Sequence, residues 1–444
     1  LVLSDWSFTD PHRIFAKLKK NAESLNFNQP TLSEPKGLGG MWGQMRMSPR
    51  DLADVTGATY TYLINGQSTE DNFNMVFRPG EKVRLRIINA AAMTLFNVRI
   101  PGLPITVVQS DGLNVQPVET DEFQMGVAET YDIIVEPTEE RAYAFVAESI
   151  DRSGQAVATL GPRPGMRATE PTMRPVPMLT MRDMGMAHNM TDGMSGMDHG
   201  SEGMADSMSM EGASRHDMKG HDMGGMKPDP NGPSVQPAKV IEADIERGPG
   251  VANVAAMPMS RLDEPGIGLD NVPHRTLTYS QLRALDMNED HRAPGREVVV
   301  HLTSNMERYM WSFDGVKFSE VTESIKFYEG ERVRLTLIND TMMPHPIHLH
   351  GMFFDLVNGG GHHMPRKHTV IVKPADKVSV DISAEHVGDW AFHCHLLYHM
   401  HAGMMQVVSV LPTTHPEHPG RPASEPAMDK PMDHHGMNHG EHKS

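Results

Sequence analysis

One stretch of this sequence is written twice. Gly80-Glu81-Lys82-Val83-Arg84-Leu85-Arg86-Ile87-Ile88-Asn89 returns as Gly330-Glu331-Arg332-Val333-Arg334-Leu335-Thr336-Leu337-Ile338-Asn339. Both copies alternate apolar and polar residues with period two, the pattern of a half-buried strand. Tyr143-Ala144-Phe145 likewise answers Trp390-Ala391-Phe392, and Ile64-Asn65-Gly66 answers Phe313-Asp314-Gly315. A repeat of this kind calls for two β units of one plan, each of a size that suits a Greek-key sandwich. The 39 Gly and 33 Pro, set against 6% aromatic residues, favour many short strands and turns, so an all-β fold is expected.

The 444 residues suffice for two or three domains. Asp10-Pro11, followed by Ile14, Phe15, Leu18, Ala22 and Leu25, combines an N-cap, a first-turn proline and an apolar stripe, which predicts a helix. We assign residues 1–58 to the end of an earlier domain plus this connecting helix, because Leu1-Val2-Leu3-Ser4-Asp5-Trp6 reads as a strand already under way. Residues 59–183 form the first copy and 237–412 the second. From 184 to 236, and again from 413 to 444, periodicity gives way to Met, Gly, Asp, Ser and His, which cannot build a core.

A net charge of −17 argues against a nucleic-acid partner, since phosphate contacts need clustered Lys and Arg. No apolar run is long enough to span a bilayer as a helix, and no signal peptide opens the sequence. The single cysteine, Cys394, allows no intramolecular disulfide and invites a metal or nucleophile reading.

Two motifs of the second copy carry that chemistry: His345-Pro-Ile-His348-Leu-His350 and His393-Cys394-His395-Leu-Leu-Tyr-His399-Met-His-Ala-Gly-Met404. On a strand neighbouring side chains face opposite ways, so Cys394 points away from His393 and His395, and His345 away from His348 and His350. His345, Cys394 and His399, with Met404 as a long axial thioether, make the ligand set of a blue-copper centre. His348, His350, His393 and His395 then face a second copper site, with Cys394 covalently flanked by two of its imidazoles. Registered motif against motif, the first copy places Leu95, Val98 and Ile100 opposite His345, His348 and His350, and Val146-Ala147-Glu148 opposite His393-Cys394-His395. The framework thus occurs once with ligands and once without.

These motifs resemble the signature of multicopper oxidases. Trp390-Ala-Phe-His-Cys-His-Leu-Leu-Tyr-His-Met and Met306-Glu-Arg-Tyr-Met-Trp-Ser-Phe-Asp-Gly315 resemble, more narrowly, the copper-resistance protein A family of periplasmic oxidases; Asp5-Trp6, Leu18-Lys-Lys20, Asn26-Phe-Asn28 and Met45-Arg-Met47 are similar as well. The resemblance implies tandem cupredoxin-like sandwiches, a Cu(I) or small phenolic reductant, and O2 as acceptor. By position it implies type 1 ligation by His345, Cys394, His399 and Met404, type 2 by His348, and type 3 by His350, His393 and His395, with Cys394, His393 and His395 carrying the electrons. Detoxification of Cu(I) in the periplasm is the role it suggests. Such oxidases draw further His-x-His pairs from a first domain, and none precedes residue 345 here. The type 1 site is therefore expected complete, the type 2 and type 3 sites partial, and this chain inactive in O2 reduction.

Met184, Met186, Met190, Met194 and Met197, continuing to Met226, sit among His188, His199, His216 and His221. Thioethers are soft ligands that suit Cu(I), and the tail from Met428 to His442 repeats the pattern. The alternative function is accordingly a non-catalytic copper-sequestering protein. His362, His363 and His368 read as loop or strand surface.

Overall fold

The computed structural model describes residues 1–29, 48–180, 182–184 and 239–419. The Met- and His-rich stretches, apart from Met184 and residues 413–419, and Met45-Arg-Met47 lie outside the described residues.

Two β-sandwiches make up the described chain. The first is built from β1 (Val2–Trp6), β2 (Thr61–Ile64), β3 (Asn74–Val76), β4 (Val83–Asn89), β5 (Phe96–Arg99) and β6 (Ile105–Ser110). It continues through β7 (Leu113–Thr120), β8 (Glu122–Met125), β9 (Thr130–Val135), β10 (Tyr143–Ser149) and β11 (Gln155–Gly161). One sheet runs β2-β1-β4-β9-β6-β7 and the other β3-β11-β10-β5-β8. The second sandwich comprises β12 (Val240–Ile241), β13 (Arg296–Asn305), β14 (Met310–Phe313), β15 (Ile325–Tyr328), β16 (Arg332–Asn339) and β17 (His345–Leu349). It ends with β18 (Phe354–Leu356), β19 (Arg366–Lys367), β20 (Thr369–Val372), β21 (Lys377–Ser383), β22 (Gly388–Cys394) and β23 (Met405–Leu411). Its sheets run β12-β13-β16-β21-β18-β19, with β14 paired to β13, and β15-β23-β22-β17-β20. The repeated motif is β4 in one copy and β16 in the other. In β4 it buries Leu85, Ile87 and Asn89 and exposes the residues between, as the alternation predicts.

The assignment of residues 1–6 to an earlier domain is corrected. β1 pairs antiparallel with β2 (Leu3↔Ile64) and parallel with β4 (Leu3↔Asn89). β13 makes the same two pairings (Leu302↔Phe313, Leu302↔Asn339), so β1 is the opening strand of the first sandwich. The helix α1 (Pro11–Lys20) does form, with Asp10 accepting from the His12 and Arg13 amides as its N-cap. It belongs to an excursion, residues 7–60, between the first two strands of one sandwich, and it reaches across to the other. Phe15 stacks on Tyr398 with ring centroids 5.9 Å apart, and Lys19 Nζ donates to the Tyr309 carbonyl at 3.4 Å.

The registration of the copies around His345 is also corrected. His345 pairs with Val372 as Phe96 pairs with Met125, and Ile347 pairs with Cys394 as Val98 pairs with Ala147. The turn after Asn89 is therefore one residue longer than that after Asn339. Phe96, Arg99 and Pro101 stand where the second copy has His345, His348 and His350. With Glu148 standing for His395, the first sandwich holds an ion pair in place of imidazoles: Arg99 lies 3.3 Å from Glu148, and Arg174 bonds Glu122 and Glu148, both carboxylates fully buried.

Buried polar contacts lock the sandwiches together. Lys367 Nζ lies 3.0 Å from Asp111, 3.1 Å from Glu129 and 2.7 Å from Ser110 Oγ, all without solvent exposure. The two carboxylates hold the ammonium charged despite burial. Among the described residues no helix is long and apolar enough to cross a membrane.

Candidate metal centre

β17 and β22 are adjacent and antiparallel, with Ile347 opposite Cys394 and His348 opposite His393. Directly paired residues share a face. His345 and Cys394 therefore project to one side, and His348 and His393 to the other, as the parity argument requires.

On the first side the chain assembles His345, Cys394 and His399, all fully buried, with one potential ligand atom from each within 4.8 Å of the others. Cys394 Sγ lies 3.6 Å from His345 Nδ1 and 3.9 Å from His399 Nδ1, and the two Nδ1 atoms are 3.1 Å apart. Each imidazole is aimed by its other nitrogen. Thr341 donates its hydroxyl to Asn339 Oδ1 at 2.8 Å and so accepts from His345 Nε2 at 2.7 Å. His399 Nε2 donates to Asp54 Oδ2 at 2.7 Å, and the same oxygen accepts the Tyr309 hydroxyl at 2.6 Å. Both Nδ1 lone pairs are left facing the thiol, and at His399 the partner is a carboxylate, an arrangement that orients metal ligands.

Trp311 stacks on the His399 ring at 3.8 Å and 20°. His399 rides on the short helix α2 (Leu397–Ala402), which Gly403 ends at φ +128, a conformation that suits glycine. The turn brings Met404 back so that its amide donates to the His399 carbonyl and its carbonyl accepts from the Cys394 amide; Met404 is fully buried. Burial pushes the Cys394 thiol well up and, with the charge of His399, holds His345 well below its usual value. His345 is a neutral ligand in waiting, and the thiol needs a cation to lose its proton. Two imidazole nitrogens and a thiol sulfur converging in a dry pocket fit a copper ion of the blue type.

On the opposite side four imidazoles gather. His350 Nε2 and His393 Nε2 are 3.0 Å apart, and the rings of His348 and His350, and of His393 and His395, have centroids 4.7 and 5.4 Å apart. His348 Nδ1 donates to the His368 carbonyl at 2.7 Å, and His393 Nδ1 to the Cys394 carbonyl at 2.9 Å. A carbonyl can only accept, so Nε2 of each ring is left with its lone pair, the form that binds a metal. Burial depresses His348 to about 3 and His395 to about 4, and it lowers His393 too.

Several supporting residues escaped the sequence reading. Asp54 lies 345 positions before His399 with nothing local to mark it. Thr341 and His368 act through one atom each, and His368, expected at the surface, packs on His348 with centroids 5.2 Å apart. Trp311 and Tyr309 did fall within a motif quoted above, but not for these contacts.

Multicopper oxidase family models match residues 41–162 and 291–414. Copper resistance protein A of Escherichia coli is 47% identical over 442 residues, covering 92% of this chain and 71% of that protein. Its homolog in Pseudomonas syringae pv. tomato is 46% identical, covering 92% and 70%. Among solved structures, Fet3p, a multicopper oxidase that functions in iron import, superposes with TM-score 0.55 at 15% identity, covering 96% of this chain and 68% of Fet3p. A laccase from Botrytis aclada gives 0.52 at 15%, covering 92% and 63%. These two support the sandwich fold alone. With its two cupredoxin-like sandwiches, its buried thiol between imidazoles and close kinship to copper resistance protein A, the chain belongs to the multicopper oxidase family, and its chemistry is that of a copper-using oxidoreductase.

Proposed function

We propose that His345, Cys394, His399 and Met404 hold a type 1 copper, and that His348, His350, His393 and His395 are half of a trinuclear copper site that reduces O2 to water. Copper bound there supplies one-electron oxidation of the donor, Cu(I) or a small phenol, and reduction of O2. The protein orients the ligands, excludes water from the thiol and joins the two faces covalently. The observation that carries this reading is the register at Cys394: on β22 the thiol of Cys394 faces one side and the imidazole of His393 the other, opposite His348 on β17, with His395 following directly after the strand. Axial thioether ligation favours easily oxidised donors over demanding ones. A copper-resistance role follows the relatives' names, and a periplasmic setting follows the family resemblance.

Four imidazoles are too few for three coppers, and among the described residues the first sandwich places Arg99 and Glu148, not histidines, at its own equivalent face. The chain by itself should therefore turn blue with copper yet consume no O2. Copper loading followed by oxygen-electrode measurement with Cu(I) as donor tests this: rapid four-electron turnover by this chain would refute it. The sequestering alternative predicts instead many weakly held Cu(I) ions, most of them lost on deleting residues 184–236.

A further inference from the structure

Among the described residues, two imidazole nitrogens from different histidines come within hydrogen-bonding distance at three places. Two are the faces already described, His345–His399 at 3.1 Å and His350–His393 at 3.0 Å. The third is His291 and His362, whose Nδ1 atoms lie 3.1 Å apart with their rings edge to face at 87°. We propose that His291 and His362 form a peripheral two-imidazole site for a Cu(II) ion, separate from the centres around Cys394.

Three observations carry the proposal. First, the separation matches a metal bite: two nitrogens about 2.0–2.1 Å from one ion lie roughly 2.9–3.4 Å apart in square-planar or tetrahedral geometry. The same chain shows that spacing at both sites proposed for copper. Second, the residues are 71 positions apart, yet the loops carrying them are stitched together. The Asn288 amide donates to the His362 carbonyl at 2.7 Å, and the Ala284 amide to the His363 carbonyl at 2.8 Å. Asn288 also exchanges bonds with Met364, its side chain donating to that carbonyl at 2.8 Å and accepting from that amide at 2.9 Å. Asn358 Nδ2 ties the start of the same loop to the Tyr279 and Leu282 carbonyls at 2.7 and 2.8 Å. The loops that carry the pair are tied together by backbone and asparagine hydrogen bonds, so much of the cost of gathering two ligands is met before an ion arrives. Third, His291 is exposed and His362 half-buried, which leaves water able to complete the coordination. Imidazole nitrogen suits Cu(II), which binds such sites more tightly than the other divalent first-row ions. The site is independent of the type 1 reading, since it shares no residue with it.

The test is equilibrium dialysis of the full chain against free Cu(II), comparing the parent with H291Q, H362Q and the double variant. Each single variant should bind one Cu(II) fewer than the parent, and the double variant also one fewer, because both rings serve one ion. The blue band from Cys394 and the thermal midpoint should not move, since glutamine retains a hydrogen-bonding side chain. A single variant that binds as much Cu(II) as the parent would reduce the pair to a hydrogen bond and overturn the proposal. A double variant that loses two ions would overturn it equally, by showing two unrelated sites.

Discussion

Replacing Asp54 should weaken copper binding from outside the ligand set. Its Oδ2 accepts from His399 Nε2 at 2.7 Å and from Tyr309 at 2.6 Å, with the Asp54 side chain 1% exposed. Burial, reinforced by the charge of Asp54, holds the Tyr309 phenol well above its usual value, so it remains a donor. Asp54→Ala strands two buried donors at about 1–3 kcal/mol each, or about 2–6 kcal/mol, a large part of the 5–15 kcal/mol that holds a typical domain folded. Asp54→Asn keeps one acceptor and removes the charge. It should cost less stability but still leave His399 poorly aimed, lowering copper affinity by about 10–100-fold. Competitive copper titration gives the affinity, and urea unfolding of the copper-free chain gives the stability. If Asp54→Asn bound copper as tightly as the parent while Asp54→Ala unfolded at the same urea concentration, the argument that this carboxylate aims His399 would be wrong.

Other perturbations probe the frame around the site. Arg174→Ala leaves Glu122 and Glu148 buried with less compensation; Arg99 still neighbours both, so we expect a loss of about 3 kcal/mol in urea unfolding. Gly403→Ala places a Cβ 2.6 Å from the Trp311 carbonyl at φ +128, and should abolish the blue band at unchanged secondary structure by circular dichroism. His301 is disfavoured as a cation by burial, but its hydrogen bonds to Asp340 at 2.7 Å and Glu242 at 3.3 Å and the charges of Asp340 and Asp314 outweigh this and raise its pKa. It therefore adds stability that is full below the unfolded value of about 6.5 and is lost as pH rises through the higher folded value; His301→Gln should flatten that slope in urea midpoints measured across the range.

The repeated strand was enough to read two β units, because β4 and β16 show their period-two pattern openly. The gathering of the proposed ligands on two faces was legible for a related reason: strand parity sorts His345 and Cys394 from His348, His393 and His395 without any tertiary knowledge. What stayed hidden depends on long-range pairing. β1 joins its sheet by a parallel ladder to β4 more than eighty positions away, which no local signal announces. The single extra residue between Asn89 and Phe96 shifted the alignment of the copies by one, which on a strand exchanges the two faces. That shift concealed Arg99 as the counterpart of His348. Asp54 was invisible because its partners come from the other sandwich.

The central claim is that Cys394 binds copper between His345 and His399. Absorption and electron paramagnetic resonance spectra of the copper-loaded chain, set beside Cys394→Ser, test it most directly. The account predicts an intense blue thiolate band with narrow copper hyperfine splitting in the parent, and loss of both, with one tightly held copper, in the variant. An unchanged spectrum and copper content in Cys394→Ser would contradict it.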